Sequence, residues 1–432
     1  MIEITRKIID ELFNKDRIEA IETARRYYAN KNDICERKRE IVAPDGSMIE
    51  SKFLTNNKLS HPFVRKIVEQ KVAYLLGKPF NLKSDDKVLL DNALAFYDRK
   101  FMRMLRSVCR DAILCGESWV MVYYDESGML EFRHIKTENI GAVYEDEYEE
   151  KLSAVVRKYK DADTDFFEVW DSESVQVYAD IAGELRLQSK RAHFGGNDDG
   201  DTSGYGRVPF VRFKYNALGI GILNFVKSLV DDYDRISSDL SNLLQDTPNT
   251  MRIIKGYGDN PEILVRNMAM YNLVMMAPDS DITTLQNTID IQASEAHMTR
   301  LRKDILDSAC AVDTQEASQG NLSGVAIKFR FADLDLDCQQ MGSEFAASLE
   351  ELTWFICEDL EAQGAGVHDP ADLTFVWATE LIANEQEVIQ NLQNSAEILS
   401  IETRIEQHPY VDDPAAELVR LNEERNGVPG EV

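Results

Sequence analysis

Two long helical segments that enclose a short insert constrain the fold of this chain more than any other sequence feature. In the segment Leu223–Asp246, apolar residues recur every three or four positions, as one face of an α-helix requires. At about 1.5 Å per residue, this helix is roughly 35 Å long. The segment Thr288–Val312 is the second long helix. Between them the sequence predicts a small α/β insert, with strands at Met251–Lys255 and Leu273–Met276 and a helix at Pro261–Met270.

Helices are also predicted in the first quarter of the chain. Residues 1–31 keep near-helical apolar spacing, and a further helical stretch covers about Asp86–Cys115 with one interruption. Between these two lies a helix with clear start and stop signals. Its predicted N-cap is Ser60, Pro62 lies in its first turn, and Gly77 ends it.

The next part of the chain changes from helical to strand periodicity. Short segments rich in β-branched and aromatic residues are separated by turn residues, which predicts a mostly antiparallel sheet region. These segments are Trp119–Tyr124, Leu130–Ile135, Ile140–Tyr144, Ala154–Lys160, Phe166–Trp170, Val175–Tyr178 and Glu184–Gln188. A glycine-rich loop, Gly195–Gly206, and a strand-like run, Pro209–Phe213, follow them.

The last part of the chain returns to helical spacing. A helix is predicted over Ser323–Gln363, then a strand at Leu373–Trp377, and then helical and acidic sequence over Thr379–Val432. Together these patterns indicate an α+β protein that is predominantly helical. The length of 432 residues favours two or three domains.

The strong negative charge of the chain excludes one class of function. The sequence has 76 Asp and Glu against 48 Lys and Arg, a formal charge of −28. Proteins that grip nucleic acid neutralise its phosphates with Lys and Arg, so the charge disfavours a DNA clamp, although contact without gripping is compatible with it. No apolar run approaches the ~18 residues of a membrane span, and the N-terminus lacks a signal-peptide hydrophobic region. We therefore expect a soluble, unsecreted protein without a membrane partner.

Catalytic signatures are missing from the sequence. It has no P-loop, no HExxH, no GxSxG and no GxGxxG that follows a strand. The Gly219–Gly221 and Gly256–Gly258 pairs are interpreted as turn glycines, and the six histidines are isolated from one another. The six cysteines include no CxxC pair, and we interpret them as buried, reduced thiols.

One acidic run deserves comparison with a calcium loop. Asp333, Asp335, Asp337 and Glu344 have the ligand spacing of an EF-hand, but Cys338 stands where the loop requires glycine. We interpret the run as a solvated acidic helix face. The sequence therefore indicates no metal, no cofactor and no enzymatic activity, although a carboxylate acid/base pair hidden among 76 acids stays open.

Several segments, in their order and spacing, carry a family resemblance over roughly residues 50–425. They are Asn56–Phe80, Cys115–Glu145, Gly206–Asp246, Gly320–Phe331 and Leu399–Glu424. Together they resemble the portal proteins of tailed bacteriophages of the siphophage type. The resemblance implies a portal-type fold assembled as a ring, with the following parts: a wing of helices and antiparallel sheet (1–222), stem helix 1 (223–246), an α/β clip (247–287), stem helix 2 (288–312), a tunnel loop (313–322), a long kinked helix and a strand returning to the wing (323–378), and a helical crown (379–432).

The resemblance also implies a function. Such a ring, normally of twelve copies, lies at one capsid vertex, and double-stranded DNA passes through it without sequence specificity during packaging and ejection. The implied partners are the terminase large subunit, then head–tail connector proteins, and also scaffold and major capsid proteins. The implied location is the virion, and the host cytoplasm during assembly. Another head–tail connector or ring-forming structural protein is the alternative, but it predicts a shorter chain without stem helices.

The negative charge suits a conduit, because an acidic wall repels phosphates instead of holding them. On the first stem helix, the expected channel-facing acids are Asp231, Asp232, Asp239 and Asp246. Salt bridges between ring neighbours are the alternative for these acids. By the resemblance, the DNA-channel residues of the tunnel loop and its flank are Gln315, Glu316, Ser318, Gln319, Asn321, Lys328 and Arg330. For Lys328 and Arg330, the alternative is pairing with acids of the neighbouring subunit.

Overall fold

The chain folds into two compact units, which are described separately. The computed structural model describes residues 4–42, 46–50, 54–146, 151–194, 204–246, 251–255, 281–285, 291–314, 324–378, 385–411 and 414–426. The first unit comprises Met1–Arg25, Val64–Asn224 and Leu306–Val432. The second unit comprises Arg26–Phe63 and Phe225–Ile305.

The helices follow the sequence periodicity closely. Their bounds are α1 Arg6–Leu12, α2 Lys15–Tyr28, α3 Phe63–Leu76, α4 Lys87–Phe96, α5 Arg99–Cys115, α6 Leu223–Asp246, α7 Ile291–Ser308, α8 Gly324–Ala362, α9 Glu385–Asn394, α10 Ile401–Glu406 and α11 Pro414–Asn426. Side-chain caps begin several of them, because an oxygen at this position satisfies a free helix N–H. Asp86 and Asp98 accept such bonds at the starts of α4 and α5.

Two antiparallel sheets form the strand region of the first unit. The strands are β3 Asn81–Lys83, β4 Glu117–Tyr124, β5 Leu130–Ile135, β6 Ile140–Tyr144, β7 Leu152–Asp161, β8 Thr164–Trp170, β9 Ser174–Ile181, β10 Glu184–Ala192, β11 Phe210–Lys214 and β14 Thr374–Val376. One sheet has the order β11-β4-β5 and the other the order β10-β9-β8-β7-β6, while β3 pairs with β14. The predicted antiparallel region is therefore confirmed, but as two sheets.

Apart from its largely exposed edge strand β10, the five-stranded sheet contributes buried residues to a core on each face. On one face, Val155 and Trp170 belong to a core shared with Trp119 and Phe210 of the three-stranded sheet. On the other face, the neighbouring Val156 packs in a cluster that includes Ile9 of α1 and also Ile4, Ala154, Phe167 and Val169. Successive strand residues point to opposite faces, so an uninterrupted Ala-Val-Val run in β7 serves both cores.

The second unit contains most of α6 and α7 together with two short hairpins. The strands β1 (Glu40–Val42) and β2 (Met48–Glu50) pair antiparallel, and so do β12 (Met251–Lys255) and β13 (Asp281–Leu285). The predicted helix Leu223–Asp246 and strand Met251–Lys255 are confirmed, whereas β13 was not predicted. The elements predicted at Pro261–Met270 and Leu273–Met276 lie outside the described residues.

Two predicted helix ends differ from the structure. The helix α7 ends at Ser308, before the predicted Val312, because Cys310 adopts a left-handed backbone (φ 49°) and the Ala311 N–H closes the turn on the Leu306 carbonyl. The prediction of Ser60 as the N-cap of α3 is wrong. This helix begins at Phe63, and the Ser60 hydroxyl instead donates to the Asn30 carbonyl at 3.2 Å.

The six cysteines are all free thiols, and Cys109, Cys338 and Cys357 are buried, whereas Cys35, Cys115 and Cys310 are partly exposed. Burial, followed by the negative charge of Asp369, raises the pKa of Cys357 to about 11. At about pH 8.5 its thiolate fraction is roughly a hundredfold below that of an ordinary cysteine.

We expect iodoacetamide at about pH 8.5 to label Cys357 about a hundredfold more slowly in the folded protein than in urea, as measured by peptide mass spectrometry. Equal rates in both states would contradict this.

Candidate channel helix and its strap

The acids predicted to line the channel have partners within their own chain. On α6, Asp231 accepts a hydrogen bond from the Tyr27 hydroxyl and pairs with Lys227 at 2.7 Å. Farther along, Asp239 pairs with Arg37 at 2.7 Å. Both carboxylates keep part of their surface exposed. Arg37 of segment 26–61 therefore neutralises one of these acids, and Lys227 of α6 itself neutralises the other.

Two further predicted acids lie on the same helix. Asp232 pairs with Arg235 one turn away and with His297 of α7, whose Nε2 lies 3.2 Å from its carboxylate. The Arg235 guanidinium, and after it His297, keeps the pKa of Asp232 below its usual range. The fourth acid, Asp246, is the last residue of α6, and its side chain is outside the described residues.

A buried row of polar side chains on α6 binds an extended segment, residues 56–61, which we call the strap. Asp234, Ser238 and Asn242 are spaced four residues apart, so they lie on one face of the helix, and all three are buried. Each accepts a hydrogen bond from the strap backbone. The bonds join Asn57 N to Asn242 Oδ1 (2.6 Å), Leu59 N to Ser238 Oγ (3.0 Å) and His61 N to Asp234 Oδ1 (3.0 Å).

This pairing works because two periodicities agree. Alternate residues of an extended chain are separated by about 6.6 Å, and four residues of a helix rise about 6.0 Å. Every second strap N–H therefore meets every fourth helix side chain. The strap numbering rises as the helix numbering falls, so the two run antiparallel.

The even-numbered strap residues form hydrogen bonds on the side of the strap that faces away from α6. Their side chains donate to backbone carbonyls of the segment that precedes β1. The bonds join Asn56 Nδ2 to Arg37 O (3.1 Å), Lys58 Nζ to Cys35 O (3.0 Å) and Ser60 Oγ to Asn30 O (3.2 Å). Because the odd-numbered residues bond α6 and the even-numbered residues bond the other side, the strap connects α6 to residues 30–37. Its sequence, Asn-Asn-Lys-Leu-Ser-His, begins the first segment of the family resemblance.

Asp234 is the most heavily bonded member of the row. Its carboxylate is fully buried and accepts from Asn32 Nδ2 at 2.6 Å in addition to the backbone N–H of His61. The His61 Nδ1 atom lies 2.7 Å from the same carboxylate, and the imidazole packs edge-on against Tyr233 at 4.8 Å between ring centroids. Helical spacing alone does not distinguish Asp234 from the exposed acids of α6, so the sequence did not identify it.

In the first unit, the acidic run that begins at Asp333 lies on α8, and two of its carboxylates, Asp335 and Asp337, are partly buried. The Lys71 side chain of α3 is fully buried, and its Nζ lies 2.6 Å from Asp337 Oδ2. The Tyr215 hydroxyl donates to the same oxygen at 3.2 Å, while Tyr74 donates to Asp335 Oδ1 at 2.7 Å. Burial, and then the Asp337 charge, raises the pKa of Tyr215, so its hydroxyl stays protonated and donates. The interpretation of this run as a solvated face is wrong for Asp335 and Asp337.

The flank of the predicted tunnel loop is only partly described. Gln315, Glu316, Ser318, Gln319 and Asn321 lie outside the described residues. Lys328 and Arg330 are exposed near the start of α8, and in the described part of the chain neither forms an ion pair or hydrogen bond. A sequence signal lies just beyond them: Phe331–Thr403 contains 16 Asp and Glu but no Lys or Arg.

In the described ranges, no set of three or more His, Cys, Asp or Glu side chains is arranged to hold a metal ion. None of the described helices is long and apolar enough to cross a membrane.

Comparisons with known proteins agree with the fold. The model of the family described as phage portal protein, SPP1 Gp6-like, matches residues 9–429. The portal protein of Bacillus phage SPP1 is 28% identical over 435 residues, covering 97% of this chain and 86% of that protein. The portal protein of Clostridium phage phiCD119 (strain Clostridium difficile/United States/Govind/2006) is 26% identical over 430 residues, covering 93% and 92%.

One solved structure supports the architecture itself. It is the neck of an empty gene transfer agent (GTA) particle computed with C6 symmetry. The two chains are 11% identical and superpose with a TM-score of 0.50, over 80% of this chain and 90% of that one. The expected α+β class and the resemblance are both confirmed, and the chain belongs to the phage portal protein family of the SPP1 Gp6-like type.

Proposed function

We propose that this protein assembles into a ring, with twelve copies, through which double-stranded DNA enters and leaves a capsid. The observation that carries the proposal is the family match over residues 9–429, nearly the whole chain. The fold shared with a chain from a particle neck computed with C6 symmetry supports it. The location that follows is the virion, at one capsid vertex, with the host cytoplasm as the place of assembly.

The element order supports assigning parts of the chain to portal domains. The stem would be α6 and α7, with the clip between them over 247–287 and the tunnel loop over 313–322. The wing would be 1–222 together with 323–378, and the crown 379–432. The terminase large subunit would dock on the clip before head–tail connector proteins replace it, and scaffold and major capsid proteins would meet the ring during assembly.

A conduit for DNA needs a wall that does not hold phosphates. The charge of −28 on each copy supplies a strongly negative ring. Asp231, Asp232 and Asp239 are each paired within the chain yet keep about a third of their surface or more accessible. In the proposal these acids, with Asp246, contribute to the channel wall. The tunnel-loop residues, with Lys328 and Arg330, would touch the passing DNA only weakly.

Mass measurement tests the ring directly. We expect light scattering after size exclusion to give about twelve times the chain mass of 49.2 kDa, and negative-stain images to show a ring with a central hole. The control is the same protein in mild denaturant, which should return to the single-chain mass. Monomers that persist across salt and concentration, even with head proteins present, would contradict the proposal.

A further inference from the structure

We propose that the first half of α8 is the surface through which one copy of this chain holds the next. In this contact, Phe329 and Leu336 seat on the neighbouring copy, and Lys328 and Arg330 pair with its carboxylates. The inference rests on the proposed ring and names the residues that close it.

The apolar part of this surface is unusually exposed. Phe329 is 78% and Leu336 65% accessible. They are seven residues apart, two helical turns, so they form a stripe on one face of α8. The opposite face of the same stretch is buried, as Leu334, Cys338 and Met341 show. Exposed aromatic and aliphatic side chains aligned in a stripe are typical of protein interfaces.

The charged part of the surface consists of two exposed cations on either side of the stripe. Lys328 and Arg330 flank Phe329 in sequence, so their side chains leave the helix about 100° to each side of it. Both lie within the first two turns of α8, and both are exposed. With no carboxylate partner in the described part of this chain, their compensating negative charge comes from another molecule.

A second copy of the chain has the complementary charge. The stretch Phe331–Thr403 contains acids without a single Lys or Arg, and Glu350, Glu358 and Glu361 within it are exposed. In a ring, each contact is head-to-tail, so a cationic patch on one copy meets a different patch on the next. Opposite charges on the two patches favour this pairing and set its register.

Passing DNA is the competing source of negative charge. Its phosphates would attract the same two cations. The exposed Phe329 ring between them would then face a sliding polyanion, which buries no apolar surface of the ring. Any partner that covers both cations also covers Phe329. A protein surface with apolar and acidic groups satisfies all three side chains, so the neighbouring copy is the occupant.

The apolar part is tested with the double variant Phe329→Ser/Leu336→Ser in the full chain. We expect ring assembly, followed by mass photometry, to require at least about tenfold higher protein concentration, because buried interface anchors carry most of the binding energy. The matched control is Val367→Ser, since Val367 is 79% accessible and lies after α8. Its rings should be as stable as those of the unmodified protein.

The charged part is tested with Lys328→Glu/Arg330→Glu. Because both side chains are exposed and form no ion pair in the described part of the chain, the monomer should melt at about the same temperature as the unmodified protein. We expect its rings to dissociate at least about tenfold more readily, and the advantage of the unmodified protein to shrink in high salt. Rings of normal stability that fail only in DNA packaging would assign the cations to DNA and overturn the proposed pairing.

The remaining outcomes are also decisive. Normal rings from the Phe329→Ser/Leu336→Ser variant would overturn the contact while leaving the proposed function standing, since the ring would then close elsewhere. A fall in the monomer melting temperature with unchanged rings would show that the stripe is covered by its own chain. If the unmodified protein never forms rings, the proposed function fails, and the contact fails with it.

Discussion

Replacing Lys71 with methionine is expected to lower the free energy of unfolding of the first unit by about 3–5 kcal/mol. The Lys71 ammonium is fully buried and lies 2.6 Å from Asp337, so its removal leaves the carboxylate without its cation. Among the described residues, the Tyr215 hydroxyl then remains as a hydrogen-bond donor to Asp337. The four tryptophans, Trp119, Trp170, Trp354 and Trp377, all belong to the first unit, so urea unfolding followed by tryptophan fluorescence reports this loss.

A double variant separates the ion pair from packing. When Lys71→Met is combined with Asp337→Leu, two apolar side chains replace both charges, and such replacements are often neutral in buried pairs. We therefore expect the double variant to be more stable than either single variant. If Lys71→Met alone cost less than about 1 kcal/mol, the pair would be behaving as a solvent-screened surface bridge.

Replacing Asp234 with alanine is expected to release the strap from α6. The substitution leaves the Asn32 amide, the His61 backbone N–H and the His61 imidazole without their common acceptor. Hydrogen bonds to a charged group are worth about 1.5–3 kcal/mol each, so the three together represent a local loss of at least about 4 kcal/mol. Hydrogen exchange of the strap amides at Asn57, Leu59 and His61 should therefore accelerate at least about a hundredfold.

The neighbouring Asp232 is the matched control. It carries the same side chain on the same helix but is partly exposed, and its partners Arg235 and His297 are exposed as well. Its replacement by alanine should cost no more than about 1 kcal/mol and leave strap exchange unchanged. Equal effects of the two substitutions would show that the buried row does not hold the strap.

The bounds of many helices and strands were predicted well from the sequence, because local periodicity determines them. The α6 bounds and the seven strand segments follow from which residues repeat every 3.6 or every two positions, and those repeats reflect one buried face. The family resemblance added the order of the parts, and the match over residues 9–429 confirms the family. The assignment of individual residues to the channel stays a prediction.

The sequence by itself thus determined the types and order of most elements, the family and the overall negative charge. Only the tertiary structure decided which charged side chains are buried and which partners they have. Among the acids of α6, it separated the buried Asp234 from the half-exposed Asp231, and it paired Asp337 with a lysine 266 residues away. Periodicity identifies the face of an element on which a residue lies, but not the distant element that packs there. A carboxylate's environment depends on that second element, because burial and nearby cations, not sequence spacing, set its energy.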